Sequence, residues 1–135
     1  MAEVIGAVIM GILIAIIDTI FMIKDESADA KTVLGHGLGS LVYLIPFCLA
    51  AFNLDFVIGM DFIPEAAKNK GIILAGLGVI TAIIIHAKSA MFKHSKGLGT
   101  HITWAHSLVV GILVAVSPFV YVFISPFVEG LTKKS

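Results

Sequence analysis

Arginine is absent from this chain, and its nine basic residues are all lysines. No guanidinium fork is available to clamp a phosphate or a carboxylate bidentately. Cysteine is nearly absent too: the single Cys48 sits in an apolar run, which excludes a disulfide framework within one chain and any thiolate-rich zinc or iron–sulfur site. Charged residues make up 13% of the sequence, whereas a soluble domain carries about 25%. Nine carboxylates balance the nine lysines, so no net field argues for nucleic acid or for an acidic partner. Several motifs are missing as well. There is no glycine loop with Lys and Ser/Thr for phosphate, no nucleophile elbow, no Glu-x-x-His pair for a di-iron bundle, and nothing like a potassium filter.

What remains is hydrophobic: 59% of the 135 residues, with a mean hydropathy of +1.06. That is membrane composition. The chain opens "MAEVIGAVIMGILIAIIDTIF", with Glu3 and no lysine before Lys24, the pattern of a retained span rather than of a secretory signal. A span needs about 20 apolar residues at about 1.5 Å rise each. Four qualify, over residues 4–23, 33–52, 71–92 and 102–127. The segment "NLDFVIGMDFIPEAAKNK" between the second and third is broken by Asp55, Gly59, Asp61 and Pro64, and is expected to lie along the interface. The other connections are short, so the fold class predicted is all-α, an integral membrane four-helix up-down bundle forming one four-span domain.

In such a bundle both termini and the 53–70 connection share one side, A, and the two short turns share the other, B. Side B carries Lys24, Lys31, Lys88, Lys93 and Lys96; side A carries Lys68, Lys70, Lys133 and Lys134. The positive-inside rule therefore leans toward side B as cytoplasmic, in a cytoplasmic or inner membrane. Ala7, Gly11, Ala15 and Thr19 recur at intervals of four, and Ala75, Ala82, Ser89 and Ala90 lie near one face of the third span. Both are stripes that let helices approach closely. Pro46, Pro118 and Pro126 are expected to kink or end their helices.

All five histidines belong to side B. His94 in the turn and His101 at the mouth of the fourth span read as interfacial residues. His36, His86 and His106 lie deeper, each about 8 Å inside its boundary at about 1.5 Å per residue, and Asp18 falls at the same level on the first span. Each helix thus offers one proton- or metal-binding side chain to a common layer, and such groups in hydrocarbon normally face the bundle interior. On the helical wheel His86 shares a face with Ala75, Val79, Ala82, Ser89 and Ala90, while glycines 35, 37 and 39 flank His36.

Three readings suit this layer. One is a haem b held axially by His36 and His106, with glycines making room for the macrocycle, Lys31 or Lys88 meeting propionates, and His86 as a substitute ligand. Another is a single copper, iron or zinc ion bound by His36, His86 and His106, with Asp18 as fourth ligand or as a partner that orients them. The third is a buried Asp18–histidine pair that fixes helix register and holds no cofactor.

The block "IIIHAKSAMFKHSKGLGTHITWAHSLVVGILV" resembles the cytochrome b561 type of membrane cytochrome. His106, Ser107 and Gly111 match the "HS..G" helix start of that family, and His86 loosely matches the histidine late in the preceding span. The resemblance covers about a quarter of the chain and implies haem b and electron transfer. The family carries a haem near each membrane face. Here side A has no histidine, so the resemblance implies one haem near side B, serving a quinol, a soluble carrier or a larger subunit. The resulting expectation is a haem b electron-transfer subunit of a larger membrane oxidoreductase complex; the alternative is an accessory subunit of a membrane oxidase or monooxygenase, with a copper or iron site or a purely structural role, and neither is a stand-alone catalyst. Its partners would be lipid and other membrane subunits or further copies of itself. A relay through Asp18 and His86 in a proton-coupled transporter is a further class, and it would need a polar path to side A.

Overall fold

The computed structural model describes the backbone of residues 2–26, 30–96 and 104–132 and the side chains of 3–24, 33–88 and 104–130. Its elements are α1 (Ala2–Glu26), α2 (Ala30–Phe52), a short α3 (Leu54–Ile58), a single 3-10 turn (Glu65–Ala67), α4 (Lys70–Lys96) and α5 (Trp104–Thr132). Four of the helices contain stretches long and apolar enough to cross a membrane: Glu3–Lys24, Val33–Phe52, Lys70–Lys88 and Trp104–Gly130. The chain is a multi-pass integral membrane protein built as a four-helix bundle. Helices overrun the expected spans by a few residues, since the backbone gains by bonding internally until it meets water.

Contacts run in opposite directions along neighbours. Gly6 of α1 meets Phe52 of α2, Gly11 meets Ile45, and Thr19 meets Gly37, so α1 and α2 are antiparallel. By the same logic Gly78 meets Gly111 while His86, further along α4, meets Trp104. The most extensive pairings are α1 with α2 and α4 with α5. α5 also packs on α1, α2 packs on both α4 and α5, and α1 and α4 take opposite corners.

Lipid is as apolar as leucine, so helix association in a bilayer depends on close packing and on interhelical hydrogen bonds. The small-residue stripe of α1 serves the first: Ala7 and Ala15 are buried, and a Cβ on Gly11 would lie 3.0 Å from Cα of Ile45. On α4 the packing face differs from the expected one. Ala75 and Val79 point outward, and the seam with α5 runs through Gly78 and Ala82, where a Cβ on Gly78 would sit 2.9 Å from the Gly111 carbonyl oxygen. The paired glycines bring the backbones closest and centre the contact on themselves. Beneath the polar layer Met10, Ile14, Leu44, Cys48, Ile85, Val110 and Val114 form the core. Val42, Phe123 and Phe127 face outward, as lipid-facing side chains do.

All three intramembrane prolines lie inside helices; none ends one. Pro118 cannot bond the carbonyl of Val114, four residues back. The preceding Ser117 does so instead, its Oγ donating to that oxygen at 2.7 Å. Ser125 treats Val122 in the same way at 3.2 Å ahead of Pro126. A hydroxyl beside each of these prolines thus covers the acceptor the ring abandons, as a bilayer requires. The 53–70 connection folds as α3 and the 3-10 turn, with Phe56 and Phe62 outward and Lys70 paired to Asp55 at 2.9 Å.

Candidate functional site

Asp18, on the interior face of α1 four residues after Ile14, is fully buried. A carboxylate there must find donors on other helices, and it finds three. Nε2 of His36 on α2 donates to Oδ2 at 2.9 Å, Ser40 Oγ donates to the same oxygen at 2.6 Å, and Nε2 of His106 on α5 donates to Oδ1 at 2.8 Å. The two imidazoles are 5% exposed. Phe21 covers His106, with ring centroids 5.3 Å apart. One carboxylate therefore ties α1 to α2 and α5 and bridges two imidazoles.

A cation from α4 approaches the same group. Lys88 Nζ donates to the His36 carbonyl at 3.1 Å and to Ser40 Oγ at 3.4 Å, and lies 4.9 Å from the centroid of the Tyr43 ring.

Of the four residues expected in the layer, the structure brings Asp18, His36 and His106 together. His86 lies elsewhere: its ring stacks on Trp104 at 3.8 Å and 17°, and its buried Nδ1 has no hydrogen-bond partner among the described residues. The reason is rotational. Ile85 takes the core-facing position on α4, and at about 100° per residue His86 is turned onto the α5 seam. Lys88, three residues after Ile85, comes round on the opposite flank, toward α2. His101 lies outside the described residues, as does the side chain of His94.

Ser40 is the partner that sequence reasoning passed over. It follows His36 by four residues and so shares its helix face, a signal that was available. In the sequence Lys88 reads as a boundary cation, but its reach to Ser40 depends on the rotation of α4.

No protein-family model, curated protein or solved structure matches this chain.

Among the described residues no group of three or more histidines, cysteines or carboxylates is arranged to hold a metal ion. For a macrocycle the test is spatial. Both Nε2 atoms already bond Asp18, the carboxylate fills the space between them, and α2 and α5 pack directly on each other. Axial ligation by this pair would require Asp18 to withdraw and the two helices to part. As arranged, the residues do not fit a haem between His36 and His106.

What the arrangement can do is hold a proton. Each imidazole, as the Nε2–H tautomer, leaves Nδ1 as its acceptor nitrogen. Among the described residues Asp18 is the one carboxylate in the cluster, so an extra proton on the imidazoles shares its single negative charge with Lys88.

Proposed function

We propose that this protein is a proton-handling subunit of a larger membrane assembly, in which Asp18, His36 and His106 take up and release one proton near the side that carries the two short turns. The observation that carries the reading is the fully buried Asp18 carboxylate with an imidazole from a different helix on each oxygen. An ionisable group is costly within hydrocarbon and is a functional residue by default; here three of them share hydrogen bonds. Histidine is the side chain suited to exchanging protons near neutrality. An accessory role in a redox complex accords with this chemistry, because a quinol releases protons as it gives up its electrons.

A second reading is a transition-metal ion on the same residues, favoured by a donor set of two imidazoles and a carboxylate. Metal–ligand bonds of about 2.0–2.2 Å would require the nitrogens to turn toward a common point.

Infrared difference spectroscopy of the protein in lipid nanodiscs, taken across a pH titration, tests the proposal. Carboxylate and imidazole bands should change together with one proton taken up per chain, and the signal should vanish in Asp18→Asn. Two independent histidine titrations, unaffected by that substitution, would overturn it. Cobalt added to the same sample should produce no d–d bands that depend on His36; their appearance would favour the metal. A Soret band in purified protein that is lost in His106→Ala would restore haem.

A further inference from the structure

Three features of α2 converge on the end of one side chain from α4. A Cβ on Gly39 would come within 2.8 Å of Lys88 Nζ, so a larger residue there would displace the ammonium from this position. Ser40 Oγ stands at 3.4 Å and the His36 carbonyl at 3.1 Å. The Tyr43 ring lies beneath it, with its centroid at 4.9 Å, a distance at which a ring face attracts a cation. Void, acceptors and aromatic face together form a receptacle for an ammonium, and Ser40 is hydrogen-bonded at once to Lys88 and to Asp18, the latter at 2.6 Å.

The geometry points to Lys88 and Ser40 as the proton relay of the Asp18 centre, an inference that rests on the proton-handling reading above. Lys88 is half-buried, whereas Asp18 and Ser40 are fully buried, so the lysine is the member of the line closest to the surface. In the inward step a Lys88 Nζ–H bond breaks and an Oγ–H bond forms at Ser40, while the hydroxyl's own proton passes to Oδ2 of Asp18. Lys88 is left as a neutral amine and Asp18 as a neutral acid, and Lys88 regains its proton from water at the membrane boundary. Ammonium suits this task because it can lose a proton when desolvated, which a guanidinium does not do in proteins. Among the described residues, the charged and titratable groups around the line are Asp18, His36 and His106 at its inner end, with Tyr43 beneath Lys88 and His86 two residues back on its own helix, on the opposite flank.

The relay sets the rate of proton uptake, while the Asp18–imidazole bonds set its extent. A pH jump on nanodisc-embedded protein, followed by time-resolved infrared absorption of the centre, separates the two. Lys88→Arg keeps a positive charge and hydrogen-bond donors but cannot hand on a proton; Ser40→Ala removes the middle link. Gly39→Ala fills the receptacle and touches neither Asp18 nor an imidazole. Each should slow uptake at least threefold, and Gly39→Ala, which leaves every donor to Asp18 in place, should keep the final amplitude of the wild type. A Lys88→Arg protein that takes up its proton less than threefold slower than the wild type overturns the relay. Loss of amplitude without loss of rate in Ser40→Ala also overturns it, since that marks a purely structural hydroxyl. Absence of any signal from the wild-type protein would instead defeat the proton-handling reading itself, and the relay with it.

Discussion

The two antiparallel pairs of this bundle are closed by different means. Where α1 meets α2 and α5, three donors from two helices converge on Asp18, and directional bonds fix depth and rotation together. Where α4 meets α5, Gly78 and Gly111 bring the backbones into contact, and shape alone sets the distance, with the His86–Trp104 stack above it. The first seam adds a buried charge to its small-residue stripe, while the second relies on the lack of side chains. Helices held by shape can adjust by small rotations; those held by a buried carboxylate cannot without stranding it. This fixes the Asp18 layer among α1, α2 and α5, with α4 reaching it through Lys88.

Substitutions can break the contrast one side at a time. Asp18→Leu should have the largest effect, because it leaves two buried imidazoles and a nearby ammonium without their anion. Breaking a buried pair costs about 3–5 kcal/mol, measurable as a shift in reversible unfolding by SDS in mixed micelles. Gly111→Val should cost less, about 1–3 kcal/mol of overpacking. Its effect should stay on the α4–α5 side, shifting the fluorescence of Trp104, the only tryptophan, while the histidine signals of the Asp18 layer hold still. Ser117→Ala removes the hydroxyl that covers the acceptor left by Pro118, at about 0.6 kcal/mol, the typical worth of a hydrogen bond between polar groups in a membrane protein. His86→Leu should be the mildest, below about 1 kcal/mol for one stacked pair, with a clear change in Trp104 emission but none in proton uptake. An effect of His86→Leu on uptake as large as that of Asp18→Asn would erase the distinction between the two seams.

The architecture was legible because it rests on what a linear sequence displays: runs of apolar residues near the length of a bilayer, and short turns between them. Depth was legible for the same reason. Counting inward from Lys24, Lys31 and the "KHSKGLGT" turn set Asp18, His36 and His106 at one level, and the hydrogen bonds join side chains from that level. Rotation was harder to read. The face of α4 is chosen by the Gly78–Gly111 contact, a property of two helices at once, so the wheel of α4 alone put Val79 and His86 on the wrong flank and gave no account of Lys88 meeting Ser40. The hydroxyls beside Pro118 and Pro126 were visible as Ser-Pro pairs, but their role follows only once the helix is seen to continue through the proline.

The central claim is that one carboxylate holds two imidazoles at once. It is tested most directly by nitrogen-15 NMR of histidine-labelled protein in lipid bilayers, with His86, His94 and His101 replaced by Gln so that only His36 and His106 report. The account predicts that both rings carry a proton on Nε2 and that both resonances move together in Asp18→Asn. A shift in one ring alone, or in neither, would contradict it.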